Sequence, residues 1–574
     1  MPTVADQMVE ALAVAGVRRI YGIVGDSLNG LTEALRRKGG IDWLHVRHEE
    51  TAAFAAAGEA HATERLAVCA GSCGPGNLHL INGLFDAHRS RLPVVAIAAH
   101  IPSAEIGSGY FQETRPEELF RACSSYCELI SDPAQMPRAI ESAIRRAVAE
   151  RCVAVLVVPG DVFLKPATAA PVPQPVSLSL PRPIVVPPEE ALDQLATLLN
   201  DAERVTLLCG GGVVGAHREV VALAERLQAP IVHTLRGKEH IEWANPYDVG
   251  MTGLIGFASG YHAMGSCDVL LMLGTDFPYR QFYPQDARIA QIDLRPEAIG
   301  RRAPIELGLV GDVKHTVSAL LPKLSRDRRE DHLRAALTHY EASRAALDRQ
   351  ATGKAGGRLH PQHVVDELSR QAAGDAIFTA DVGLPTVWSA RHLAMNGHRR
   401  LIGSFWHGSM ANAMPQAIGA QAAFPERQVI SLSGDGGFTM LMGDLLTLKQ
   451  LNLPVKVLIF NNGSLGFIEL EQKSSGYLEF GTTLDNPDFA ALAQAVGIKG
   501  IPIADPAALE QGIAEALAHD GPVVIDAQVE RMELAMPPRI TAEMTKGFTA
   551  YMLKAVLNGR GDELVELAAA NLLR

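Results

Sequence analysis

The chain has 574 residues, too many for one hydrophobic core, so several domains of ordinary size are expected. A hydrophobic content of 47% with 52 glycines fits a large α/β enzyme and excludes a disordered or fibrous chain. The net charge of −12 argues against nucleic acid as a partner, and no apolar run reaches the ~18 residues of a membrane span.

The opening MPTVADQMVE has neither a basic n-region nor an apolar core, so a cytoplasmic protein is expected. The seven cysteines are dispersed, without a histidine cluster to complete a zinc site, and read as buried free thiols. Next comes Arg47-His48-Glu49-Glu50, followed by TAAFAAAGEA, an alanine-rich helix that surrounds a carboxylate with apolar atoms. Spacing alone does not choose between Glu49 and Glu50. The stretch AGSCGPGN (70–77) breaks a strand pattern and opens a helix, as a turn beside a ligand does. The runs PVVAIAA (93–99) and VAVLVVP (153–159) predict buried parallel strands. Residues 166–188 are rich in proline and form a break.

A second block starts with the strand RVTLLC (204–209), which runs into Gly210-Gly211-Gly212-Val213-Val214-Gly215 and a helix. That spacing fits G-x-G-x-x-G and would suggest NAD if an acidic residue ended the following strand. The following strand instead ends in Arg236-Gly237-Lys238, so the NAD reading loses its partner. Another strand, DVLLMLG (268–274), precedes a second break over 349–361.

The third block carries the most specific pattern. The strand QVISLS ends in Gly434-Asp435-Gly436-Gly437, and 24 residues later VKVLIF ends in Asn461-Asn462. Two successive strand ends separated by one helix can bring Asp435 and Asn462 to one hard cation, which takes a carboxylate, neutral oxygens and phosphate. The glycines allow a diphosphate to approach the backbone. The expected architecture is α/β, with three doubly wound parallel-sheet domains over 1–180, 181–340 and 341–530. A tail over 531–574 follows. Within it, GDELVELAAANLL (561–573) places Leu564, Val565, Leu567, Ala568 and Leu572 on one helical face, opposite Asp562, Glu563 and Glu566.

The Gly-Asp-Gly…Asn-Asn pattern resembles the diphosphate motif of thiamine-diphosphate enzymes. Over essentially the whole chain, stretches such as AGSCGPGNLHLINGLFDAHR and NPYDVGMTGLIGF are similar to the bacterial pyruvate:quinone oxidoreductases. The resemblance implies a pyrimidine-binding, a central FAD-binding and a diphosphate-binding domain. It implies Mg²⁺ on Asp435, Asn462 and the carbonyl of Ser464, with Gly434, Gly436 and Gly437 against the diphosphate. Glu49 then exchanges a proton with N1′ of the aminopyrimidine, and Met410 bends the cofactor. Phe111 and Gln112 reach over the reacting carbon from a neighbouring subunit, while Val382, Phe467 and Glu471 line the pyruvate side. FAD is implied at Thr252, Gly253 and Leu254, at Gly274, Thr275, Asp276 and Phe277, and at Asp312. Asp293 would hold a flavin-moiety hydroxyl, and Arg280 or Arg236 the pyrophosphate.

The reaction so implied is pyruvate to acetate and CO₂, with electrons passing through FAD to ubiquinone. The resemblance further implies a homotetramer with sites between subunits, docked on phospholipid at the inner face of the cell membrane by its tail. Acetolactate synthases share both cofactors but carry tryptophan where this chain has Glu471. A phosphate-dependent pyruvate oxidase is the other alternative.

Overall fold

A computed structural model describes residues 1–168, 183–325, 329–353, 356–533, 542–558 and 560–571. Residues 169–182 of the break expected over 166–188, and the tail residue Leu572, lie outside the described residues. Short apolar runs such as Val205–Cys209 and Val429–Gly434 form the strands. The run Val153–Pro159 is buried along its whole length, as a strand covered on both faces must be.

Among the described residues, eighteen strands make three six-stranded, entirely parallel sheets. The first contains β1 (Arg19–Gly22), β2 (Asp42–His45), β3 (Ala67–Gly71), β4 (Val94–His100), β5 (Tyr126–Leu129) and β6 (Val153–Pro159). Its order is β2-β1-β3-β4-β6-β5. The second contains β7 (Val205–Cys209), β8 (Ile231–His233), β9 (Asp248–Met251), β10 (Val269–Leu273), β11 (Arg288–Asp293) and β12 (Leu307–Val310). Its order, β12-β11-β10-β7-β8-β9, is that of dinucleotide-binding sheets. The third contains β13 (Ile377–Ala380), β14 (Arg400–Gly403), β15 (Val429–Gly434), β16 (Lys456–Asn461), β17 (Lys499–Ile503) and β18 (Val523–Gln528). Its order, β14-β13-β15-β16-β18-β17, repeats the first sheet's winding.

The first and third units share one core, because the helix Glu49–Thr63 packs on the helix Ala413–Ala423. The approach is so close that a Cβ on Gly58 would lie 2.2 Å from the Gln416 carbonyl, and one on Gly419 1.8 Å from that of Ala55. Only glycine fits at either position. The central unit is tied in by Arg400, which donates to Glu239 and to the carbonyls of His61 and Ala62. All seven cysteines are free thiols, and all but the half-buried Cys127 are buried.

Beyond residue 541 the chain forms two helices, Ala542–Leu557 and Gly561–Asn571. The first packs on the helix Gly466–Ser474, with the Lys554 ammonium donating to the Gly476 carbonyl at 2.7 Å. In the second, Leu564, Leu567 and Ala568 are half-buried, while Val565 is exposed beside Asp562 and Glu566. Larger exposed apolar side chains (Leu553, Val556 and Leu557) lie on the preceding helix. Among the described residues, no helix is long and apolar enough to cross a membrane.

Candidate active site

The carboxyl ends of the second and third sheets open into one shared cavity of about 1180 Å³. Such ends are where open parallel sheets receive ligands, because strand-to-helix turns there present free amides.

On the third sheet, β15 runs into Gly434-Asp435-Gly436-Gly437, which starts a short helix. A Cβ on Gly437 would sit 2.5 Å from Asp381 Oδ2, and one on Gly436 2.7 Å from Leu465, so this turn excludes side chains. Asp435 Oδ2 accepts the main-chain N–H of Asn462 (3.1 Å) and Gly463 (2.8 Å) and the amide of Asn486 (2.8 Å). Oδ1 accepts only the Gly436 N–H, at 2.8 Å, and keeps a lone pair for a ligand. Burial pushes the Asp435 carboxyl up, and the donated amides oppose it. Asn462 Oδ1 accepts the Ser464 N–H at 3.1 Å, which folds the loop so that Asn462, Ser464 and Asp435 all line the cavity. A carboxylate, an amide oxygen and a carbonyl are the donor set of a hard divalent cation beside a diphosphate, so the residues fit Mg²⁺.

Val382, Met410, Phe467 and Glu471 line the same cavity. Phe467 and Glu471 are four residues apart on the helix Gly466–Ser474 and share a face. Glu469 points the other way and is buried against Ser464, Lys473 and Arg531.

On the second sheet the wall is formed by Arg236, Thr252, Gly253 and Leu254, by Gly274 to Phe277, and by Asp293 and Asp312. Gly212 and Gly274 meet so closely that a Cβ on either would lie within 2.6 Å of the other's backbone. Thr252 Oγ1 is buried with no partner among the described residues, a vacancy suited to a ligand's polar group. Asp276 is occupied by Arg301 and Arg302, and Asp312 caps the helix Val313–Leu320. Arg236 stands in the cavity wall together with Arg295, Arg301 and Arg302. Arg280 instead donates to the Arg301 carbonyl and is not among the lining residues. An arginine-rich wall beside tight glycine turns fits a pyrophosphate.

Glu49, Phe111 and Gln112 do not line this cavity; they gather at another point of the chain. Glu49 is buried, 2.9 Å from His79 Nδ1, and its Oε1 would be 3.0 Å from a Cβ on Gly76. Gln112 Oε1 accepts the Cys73 thiol at 3.3 Å, and Phe111 is 78% exposed. Glu50 faces elsewhere: it accepts from Asn82, which also binds Ser409 and His407. The two neighbouring carboxylates are thereby separated, with Glu49 on the glycine turn and Glu50 on the segment beside Met410.

Sequence reasoning missed His79, Asn486 and Asp381. Asn486 meets Asp435 across 51 residues, with no local spacing to signal it. Asp381, a lone acid ending the apolar run of β13, carried a readable signal. Its carboxyl is pushed up to about 7 by burial, and its Oδ2 has no partner among the described residues.

Three family models match the chain. They are the N-terminal TPP binding domain of thiamine pyrophosphate enzymes over residues 2–119, the central domain over 192–320, and the C-terminal TPP binding domain over 381–527. A putative thiamine pyrophosphate-containing protein of Bacillus subtilis, YdaP, is 39% identical over 98% of both chains. The pyruvate oxidase of Lactiplantibacillus plantarum is 31% identical over 91% of this chain and 88% of its own. The large subunit of acetolactate synthase isozyme 2 from Escherichia coli is 32% identical over 93% of this chain and 96% of its own.

Proposed function

The chain belongs to the thiamine pyrophosphate enzymes, and we propose that within them it oxidatively decarboxylates pyruvate, passing two electrons through FAD to ubiquinone. The net reaction is pyruvate, water and quinone to acetate, CO₂ and quinol. The observation that carries the reading is the single cavity shared by the glycine–aspartate turn of the third sheet and the dinucleotide-ordered second sheet. The residues that would hold thiamine diphosphate and those that would hold FAD line the same enclosure.

When bound, thiamine diphosphate supplies the electron sink for decarboxylation and FAD the acceptor for the electrons. Asp435, Asn462 and the Ser464 carbonyl would hold Mg²⁺ beside the diphosphate, while Arg236 and its arginine neighbours would hold the flavin pyrophosphate. Glu49 moves a proton at N1′ of the aminopyrimidine, and His79 orients its carboxylate. Val382 and Phe467 give the reacting carbon a dry wall, and Glu471 directs a water toward it. Since Glu49 and the cavity occupy separate places in one chain, a second copy completes each site, in a homotetramer. The exposed Leu553, Val556, Leu557 and Val565 would rest on phospholipid at the inner face of the cell membrane.

Likeness to pyruvate oxidase and to acetolactate synthase is about equal, so Glu471 is what favours oxidation: the carboligase resemblance calls for a tryptophan there. Product analysis decides. Acetate formed in step with a reduced quinone analogue supports the reading; acetolactate without quinone reduction overturns it.

A further inference from the structure

Between the turn Ser103–Glu105 and the helix Pro116–Leu119, the chain makes a loop with little apolar core of its own. Within the single chain Tyr110 and Phe111 are 45% and 78% exposed, so the chain's own core does not hold the loop in shape. Its backbone is left-handed at three places, and costly at the one that carries a side chain. Gly107 and Gly109 have φ of +92° and +76°, and Gln112, which has a side chain, is left-handed at +61°.

One carboxylate compensates. Glu113 Oε1 accepts the Gly107 N–H at 2.5 Å, and Oε2 accepts those of Gly109 at 2.7 Å and Tyr110 at 3.1 Å. The Glu113 N–H closes the ring by donating to the Tyr110 carbonyl at 2.9 Å. These amides converge as an anion nest does, and charge-assisted bonds are about twice as strong as neutral ones. Their effect on the carboxylate is reciprocal: the Gly107 bond holds the Glu113 carboxyl below its usual range. Downstream, Gln112 rests on the turn that faces Glu49. A Cβ on Gly74 would lie 2.8 Å from that of Gln112, and one on Gly76 3.0 Å from Glu49.

We propose that Glu113 is a positioning residue whose carboxylate, holding three amides of its own loop, sets Phe111 and Gln112 at the rim of the reaction centre. This rests on the reading of the reaction given above. Glu113 touches neither substrate nor cofactor; it acts through the two residues before it. Glutamine at this position offers one acceptor oxygen instead of two and no charge, so it cannot hold the same three donors. A rim displaced by about 1 Å costs on the order of 100-fold in rate, because the reacting groups no longer align.

The test uses the full chain loaded with thiamine diphosphate, Mg²⁺ and FAD. In Glu113→Gln, hydrogen exchange at Gly107, Gly109 and Tyr110 should rise at least ~10-fold, since an amide exchanges only when its bond opens. The value of kcat/KM for pyruvate should fall on the order of 10- to 100-fold, with thiamine diphosphate affinity and melting temperature unchanged. In a Phe111→Ala background the same substitution should cost less than in the wild-type chain, because the share that Glu113 exerts through Phe111 is already gone. Exchange unchanged by the substitution overturns the proposal. So does faster exchange with wild-type kcat/KM, or a loss undiminished in the Phe111→Ala background. A wild-type chain that binds its cofactors without turning over pyruvate would instead fail the reading of the reaction, and the exchange result then decides the loop's organisation by itself.

Discussion

At the scale of single residues, the site separates groups that hold from groups that react. Asp435 holds: its carboxylate joins the turn after β15 to the loop after β16. Replacing Asp435 with alanine should weaken thiamine diphosphate binding in Mg²⁺ roughly 100-fold, the equivalent of about 3 kcal/mol for a charged contact. Titration by tryptophan fluorescence measures it, and an unchanged dissociation constant would remove Asp435 from the metal site. Glu49 is the group proposed to react: Glu49→Gln should retain the cofactor yet lose roughly 10²- to 10⁴-fold in turnover, the range of a lost general acid–base group. Glu471→Gln should slow acetate release while flavin reduction stays fast; normal turnover would end its assignment to water. That Asp435 and Asn462 meet at one cavity was legible in the sequence, because two successive strand ends separated by one helix converge. His79 was not, because its pairing with Glu49 is made across 30 residues by the packing of one helix on another.

At the scale of elements, the contact of the helices Glu49–Thr63 and Ala413–Ala423 depends on glycines. With Ala55 O 1.8 Å from a Cβ on Gly419, Gly419→Ala must force these helices apart. An overpacked crossing of this kind costs about 1–3 kcal/mol, read as a lower denaturant midpoint; an unshifted midpoint would mean the crossing is slack. The central sheet stores a different cost. Asp248 opens β9 beside His233, and burial, with Glu242 nearby, pushes its carboxyl up to about 8. An unfolded aspartate releases its proton near pH 4 while the folded one keeps it, so this group's support of the fold falls as pH rises from about 4 to about 8. Asp248→Asn lacks the titration and should gain stability relative to wild type between pH 5 and pH 8; a constant difference would contradict the assignment. Parallel strands such as Val153–Pro159 were readable as uninterrupted apolar runs bounded by breakers. The helix Ala542–Leu557 was missed: its apolar residues are interrupted by Lys546, Gly547 and Lys554, and its partner surface lies on a helix some 70 residues away.

At the scale of the molecule, the first and third sheets wind in the same order around a middle sheet wound as dinucleotide-binding sheets are. That three-unit α/β plan was legible from run lengths, glycine turns and the two breaks in composition over 166–188 and 349–361. What no sequence spacing could show is that one cavity serves the second and third sheets while Glu49 and Gln112 gather elsewhere. This division predicts complementation: chains carrying Glu49→Gln and chains carrying Asp435→Ala, each inactive alone, should recover partial activity when co-expressed. Continued inactivity of the mixed oligomers would place a whole site within one chain. The central claim, that pyruvate oxidation reduces a flavin in the shared cavity, is tested most directly by anaerobic mixing. Enzyme loaded with thiamine diphosphate, Mg²⁺ and FAD is mixed with pyruvate while the flavin absorbance is followed. Rapid bleaching is expected, reversed by a quinone analogue and accelerated by phospholipid vesicles. A flavin that stays oxidised while pyruvate is consumed would contradict it.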